Sequence, residues 1–571
     1  MSLKRTIYLA VLTAIILVGC NNKSKDAAEL SIYHNGNIIT MEGSAPRKVE
    51  AVVVKEGKIT FVGDFAEAKK QFSKASTIDL RGNTLLPGFI DPHSHFGFVS
   101  NSMGQIDLNP PPVGDVSSIE DIKQKLKNYK ETNNIPDGEW IFAWGYDESQ
   151  MTEKRHPDKK DIDEVLPENP VYLQHASGHM GVANSMALEK MNITAVTENP
   201  AGGNIDRYPN SKEPNGLVQE TAMYVFMGNM LSILEAHQED YFDKTQDEYA
   251  ANGITTAQDG MTARNAIDFY QSQADAGKLK IDLVALAGSA ELQDNLADTI
   301  LKWKTYKNRF KVQGTKIIGD GSPQGKTAFF SESYLTEVPG CMHDCKGLPS
   351  LSQEMLDSLF ILAYQNDNQL FIHSNGDASI DMILSAHKKA CEVLNEPLDK
   401  DRRTIVVHSQ FVREEQLETY KKYNIEPSFF TNHAYFWGDA HVENLGKERA
   451  FFLSPIATAD AMGLKYTNHS DATVTPLSPM FSVWSAVNRL SRTNKVIGEA
   501  ERATPYQALK AITANAAYEL FEEDIKGTLT VGKIADFVIL DGDPLTIDPL
   551  KIKDIKVVET IKEGVSIYKS K

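Results

Sequence analysis

The chain has 571 residues, more than one ordinary core organises, so at least two domains or one large barrel with additions are expected. Its net charge of −18 excludes nucleic acid as a partner, because nothing basic is available to neutralise phosphates. With 41% hydrophobic and 24% charged residues, the composition is that of a soluble globular protein.

Residues 1–20 read as a targeting segment and stand outside the fold. Lys4 and Arg5 form a basic start, and Ile7 to Val18 is an apolar run short of the roughly 20 residues needed to span a bilayer. Leu17-Val18-Gly19-Cys20 resembles the lipobox of bacterial lipoproteins. That resemblance implies a lipidated Cys20 and a membrane anchor, with the protein facing the periplasm or cell exterior. Asn21 is not the aspartate that favours inner-membrane retention, which tilts the expectation to the outer membrane. Residues 21–29 are polar and read as a tether. Of the remaining cysteines, Cys341 and Cys345 are expected to pair as a disulfide stapling a loop, with a metal site including His343 as the alternative.

Residues 30–86 read as short strands and turns, with Asn35-Gly36 and Glu56-Gly57 as turn dipeptides. The same texture returns over 521–571, in Gly527 to Leu529, Gly532 to Leu540 and Val557 to Tyr568. Neither end makes a convincing sheet alone, so both are expected to build one small β-sandwich domain flanking a central unit over 87–520.

That centre alternates β-like runs with helical patterns, the signature of parallel βα units. Eight strands are expected: one ending at His95, then Gly253–Gln258, Ile281–Leu286, Thr315–Asp320, Gln369–His373, Thr404–His408, Ile425–Phe430 and Leu464–Asp471. The count predicts an α/β fold, a (β/α)8 TIM barrel whose site lies at the C-terminal strand ends. Between strands one and two, roughly 104–250, lies a large insertion with its own helices and strands, placed to cover the barrel mouth.

The ionisable residues at the strand ends fall in order. Strand one supplies His93 and His95, which at i and i+2 aim two imidazoles at one point. Strand four supplies Lys316, strand five His373, strand six His408 and strand eight Asp471. Imidazole and carboxylate ligands suit zinc first, with manganese, iron, cobalt or nickel as alternatives.

With these residues in view, the sequence resembles the amidohydrolase superfamily, in particular the amidohydrolase-3 group that includes N-substituted formamide deformylases. The matching segments are Pro87 to His95, Asp320-Gly321-Ser322, His373 to Asp377, Val407-His408, His469 to Ala472 and Gly527 to Phe537. The resemblance implies one or two divalent ions: one held by His93, His95 and Asp471, a second by His373 and His408, with Lys316 carboxylated as a bridge; the alternative for Lys316 is an ion pair with Asp320 or another nearby acid. It implies a hydrolase that cuts a non-peptide C–N bond of a small molecule, an amide, N-acyl or cyclic amide, through a metal-activated hydroxide. Asp471 is then also the proton carrier, and His179 in the insertion a substrate or oxyanion hydrogen-bond partner. Asp320 and Lys326 are expected either to position substrate or to form a loop salt bridge; His433, His469 and Trp437 are expected to line the pocket. Two features depart from the family pattern: the Cys341-to-Cys345 loop, and Thr473 where many relatives carry proline.

The alternative within enzymes is a deaminase or ester hydrolase on the same centre. Outside them it is an inert binding lipoprotein, against which the presence of all six ligand-type residues speaks. A homo-oligomer stays open.

Overall fold

A run that is apolar on both faces forms a strand only where both faces can be covered, and the central sheet meets that condition. The computed structural model describes residues 30–571 apart from 112, 179, 201, 202, 236, 339 and 340. Residues 1–29, including Cys20 and the expected targeting segment and tether, and His179 therefore lie outside the described residues. The central sheet has eight parallel strands: β1 (Phe89–Ile90), β2 (Ile254–Thr262), β3 (Asp282–Gly288), β4 (Phe310–Ile318), β5 (Gln369–Ser374), β6 (Thr404–His408), β7 (Ile425–Phe429) and β8 (Thr467–Asn468). They pair in that order from β1 to β8. Past their ends the first and last strands are joined by backbone bonds, Asp471 N–H to His93 O at 3.1 Å and His95 N–H to Ala472 O at 2.9 Å. The curl and order are those of a TIM-like barrel.

Alternation along the strands sorts the core. Ile90, Val284, Leu286, Phe371, Ile405 and Val407 pack together, closed off by Ala516, Ala517 and Leu520. Their neighbours Leu283, Ala285, Leu370, Ile372 and Val406 join the large outer layer with the surrounding helices. Interior positions thus recur every second residue, which sends Lys316 and His373 inward along with Phe371, to which Lys316 is registered.

Four strands depart most from the sequence expectation. β1 ends at Ile90, so His93 and His95 stand beyond it rather than on its face, and β2 runs on to Thr262, four residues past Gln258. β4 begins at Phe310 and ends at Ile318, five residues earlier at its start than the run from Thr315. Lys311 and Gln313 interrupt the apolar pattern, but Lys311 is neutralised by Glu522 and Gln313 bonds Gln369 at 2.7 Å. β8 is only two residues long, because Gly463 (φ 74) and Leu464 complete the turn that ends the helix Ile456–Ala461.

Both chain ends enter one eight-stranded sheet, in the order Val565–Lys569, Val557–Lys562, Phe537–Leu540, Thr84–Pro87, Ser31–Ile39, Lys48–Lys55, Lys58–Gly63, with Ser76–Asp79 beside Ser31–Ile39. Glu56-Gly57 makes the tight hairpin turn, both residues at positive φ. Asn35-Gly36 does not turn the chain. It forms a bulge inside one strand, where a Cβ on Gly36 would lie 2.5 Å from Asn83 O. Between β1 and β2 the chain builds a third, six-stranded sheet, which includes Ile141–Tyr146, Val171–His175 and Met180–Ala183. A Cys341–Cys345 disulfide closes the loop expected from the sequence, and Cys391 is buried with a free thiol.

A buried ion cluster ties the C-terminal segments to the barrel. Asp282, the first residue of β3, accepts from Lys526 Nζ at 2.6 Å and Lys562 Nζ at 2.9 Å. Lys562 also meets Asp536 at 2.7 Å, and Lys526 meets Glu522 at 2.9 Å.

Candidate metal centre

The geometry starts from which ring nitrogen carries the proton. His93 Nδ1 lies 2.8 Å from Gln258 Oε1, and His95 Nδ1 lies 2.8 Å from Gly260 O. Each acceptor draws the proton to Nδ1, so both Nε2 lone pairs turn into the barrel mouth. Burial, followed by the Lys316 charge, holds His93 well below its ordinary value, so its ring is neutral at neutral pH.

Those lone pairs face a carboxylate. Asp471 Oδ1 lies 3.3 Å from His95 Nε2 and 3.7 Å from His93 Nε2, and it is buried without a hydrogen-bond donor among the described residues. Acceptors aimed at one another at this range repel unless a cation lies between them. On the other side, His408 Nε2 and His373 Nδ1 are 3.0 Å apart, while His408 Nδ1 is buried without a partner. His93, His408 and Asp471 bring ligand atoms within 4.8 Å of one another, a grouping that straddles the two expected ligand sets. The donor set therefore fits a divalent cation.

Lys316 reaches the same point, its Nζ 2.7 Å from His93 Nε2. Burial pulls its ammonium down to about 7 against the opposing pull of Asp471 and Glu519. Its partner is not Asp320, whose carboxylate accepts from the N–H groups of Phe329, Asn375 and Gly376 at 3.0, 2.9 and 2.8 Å. Burial nevertheless pushes Asp320 up to about 7. Asp320 shapes the loop that follows His373, whose ring it approaches at 3.6 Å, rather than reaching into the mouth.

Backbone strain concentrates here. Strand alternation would send His408 outward with Val406, but His408 leaves β6 at φ 72 and joins His373 instead. Asp471 follows β8 at φ 51, also in the left-handed region that β-type residues avoid.

The remaining expected residues divide. His469 is buried beside the cluster, its ring 5.0 Å from that of His408 and 5.2 Å from that of His93, with burial pulling it down to about 3. His433 bonds His441 at 3.1 Å and packs against Trp437 at 4.6 Å, and Trp437 lines a cavity of about 400 Å³ beside the Ala472–Leu477 segment. Lys326 is not brought to the cluster; its ammonium donates to Glu337 O at 2.7 Å. The loop salt bridge expected between Asp320 and Lys326 does not form.

Sequence reasoning passed over Gln258 and Gly260, near the end of β2. Gly260 is required by crowding: a Cβ there would lie 2.4 Å from His93 Cε1 and 3.2 Å from His95 Cε1. The signal was a polar pair and a glycine at the end of a buried strand. A second group, Asp147, Glu148 and His175, also clusters in the insertion. There His175 Nδ1 accepts from Ser177 N–H at 3.0 Å, which leaves the Nε2 proton for Glu148 at 2.7 Å. Burial pushes Glu148 up, but the His175 hydrogen bond and charge outweigh it and hold it at about 2. This is a charge-assisted hydrogen bond, not a set of offered lone pairs.

A parallel barrel with imidazoles and a carboxylate converging at its C-terminal strand ends is the architecture of a metal-dependent hydrolase. The chain belongs to the amidohydrolase family, which it matches as Amidohydro_3 over residues 76–568. It is 26% identical over 555 residues to the N-substituted formamide deformylase of Arthrobacter pascens, covering 94% of this chain and 97% of that protein. It is also 26% identical over 558 residues to the putative amidohydrolase YtcJ of Bacillus subtilis, covering 94% and 99%. An uncharacterized metal-dependent hydrolase from Pyrococcus horikoshii shares the fold, with a TM-score of 0.72 at 24% identity over 91% of this chain and 99% of that one.

Proposed function

We propose that the chain hydrolyses a non-peptide C–N bond of a small molecule: an amide, an N-acyl compound or a cyclic amide. The observation that carries this reading is the unpartnered Asp471 Oδ1 facing the Nε2 atoms of His93 and His95. His93, His95 and Asp471 would hold one divalent ion, zinc first, and His373 and His408 a second. Such an ion, when bound, supplies Lewis acidity and lowers the pKa of water toward ~7.

The chain's own groups supply orientation and proton transfer. Gln258 and Gly260 fix the two histidine tautomers, and Asp320 fixes the loop behind His373. Asp471 Oδ1 takes a proton from the attacking water and returns it to the leaving nitrogen. Lys316, with an ammonium that burial weakens to about 7, has an amine fraction at neutral pH able to add carbon dioxide with release of one proton; the resulting carbamate would offer two oxygens sharing one negative charge. His179 is assigned a hydrogen bond to substrate from the insertion.

The Leu17-Val18-Gly19-Cys20 run supports anchoring through lipidated Cys20, facing the periplasm or cell exterior, with the outer membrane preferred. Among the described residues no helix is long and apolar enough to cross a membrane. Cys20→Ser is expected to move the protein from the membrane fraction to the soluble one. Division into the 30–86 plus 521–571 β-sandwich, the 87–520 barrel and the 104–250 insertion belongs to the same reading.

The test is a screen of N-formyl, N-acyl-amino-acid, hydantoin-like and ester compounds on protein loaded with zinc or manganese. Turnover of an N-acyl or cyclic amide is the expected result; turnover of esters alone would contradict it.

A further inference from the structure

The cavity beside the metal centre carries a cation that the mechanism above does not use. Its walls include Trp144 and Asp147 from the insertion, Phe436 and Trp437 after β7, Thr473 after Asp471, and Arg492. The Arg492 guanidinium lies over the Phe436 ring, 5.1 Å from its centroid, a contact that fixes the plane of the fork. Its backbone N–H donates to Tyr435 O at 3.1 Å, anchoring the loop after the helix Pro479–Asn488. None of its side-chain nitrogens hydrogen-bonds another described residue, and Nε and Nη1 are shut off from solvent. Asp147 lines the same cavity, and its charge favours the Arg492 cation.

A guanidinium held in place with its donors unspent is costly unless an acceptor arrives, and Nη2, the one nitrogen not shut off from solvent, offers a carboxylate a charge-assisted hydrogen bond. The aromatic walls add an apolar surface, and the Ala472–Leu477 wall continues directly from Asp471. We propose that Arg492 binds a carboxylate on the non-reacting end of the substrate, so that the preferred substrates are N-acylated amino acids with an apolar side chain. This rests on the hydrolase reading for the position of the scissile bond, but the binding of the carboxylate stands on the cavity itself.

The experiment compares the metal-loaded full chain with Arg492→Gln and Arg492→Lys, after thermal unfolding and metal content have been matched. Calorimetric binding is measured for two probes, N-acetyl-L-phenylalanine and the same molecule without its carboxylate, N-acetylphenethylamine. The wild type is expected to bind the acid more tightly, and Arg492→Gln to lose roughly tenfold to hundredfold affinity for it with little change for the neutral probe. Arg492→Lys should fall between. If either probe is turned over, the loss should appear in KM far more than in kcat. Equal loss for both probes, no loss for the acid, or a wild type that binds the acid no better than the neutral probe overturns the proposal. Absence of turnover with acid-selective binding intact would instead overturn the hydrolase reading alone.

Discussion

At the scale of single residues, the candidate centre depends on protons placed on the opposite ring nitrogen from the atoms that face Asp471. His93 and His95 present their Nε2 lone pairs only because Gln258 and Gly260 occupy Nδ1. Gly260→Ala would thrust a methyl group to 2.4 Å from His93 Cε1 and turn that ring. The expected outcome is metal affinity lowered about 10- to 100-fold with the fold intact, read by metal titration beside circular dichroism. Asp471→Asn keeps the shape of the side chain but removes its basicity. Turnover should fall by roughly 10²- to 10⁴-fold while the protein still folds, and full activity would remove Asp471 from its assigned role. The candidate ligands His93, His95, His373, His408 and Asp471 were legible in the sequence because each stands at or just past the end of an apolar run, whereas Lys316 lies inside β4. Their orientation was not, since it depends on φ 72 at His408 and φ 51 at Asp471, for which no neighbouring residue gives a signal.

At the scale of elements, strands buried on both faces read clearly, and β5, β6 and β7 begin where their apolar runs begin. β4 was misplaced at its start because Lys311 and Gln313 look like surface residues until Glu522 and Gln369, distant in sequence, are brought beside them. β7 carries a comparable irregularity in Glu426, buried with Oε1 unbonded, whose carboxyl burial pushes up from 4.5 to about 8. The sign of the resulting effect follows directly. Below pH 4.5 the group is neutral in both states and costs nothing. Between 4.5 and 8 the unfolded chain ionises while the folded one does not, so stability is lost as pH rises, levelling off above 8. Glu426→Gln removes that loss. Its stability gain over wild type should be near zero at pH 4 and on the order of 3 kcal/mol at pH 8, as measured by denaturant unfolding. A gain independent of pH would show that Glu426 is ionised in the folded protein.

At the scale of the whole molecule, the C-terminal segments are held to the barrel by charge as well as by strand pairing. Asp282→Ala leaves Lys526 and Lys562 buried beside a lost partner, and should destabilise the protein by about 3–5 kcal/mol in chemical denaturation. The shared sheet of the two chain ends was foreshadowed by matching β-rich texture at residues 30–86 and 521–571. The cavity was not, because Trp144, Phe436 and Arg492 meet only after three distant segments have packed over the mouth.

The central claim is that these residues hold a hydrolytic metal centre. It is tested most directly by measuring bound metal and amide turnover on the same preparation, before chelation, after chelation and after zinc or manganese is restored. The account predicts one or two divalent ions per chain, with turnover lost on chelation and recovered on reloading. A protein that takes up no metal and cleaves nothing after supplementation would contradict it.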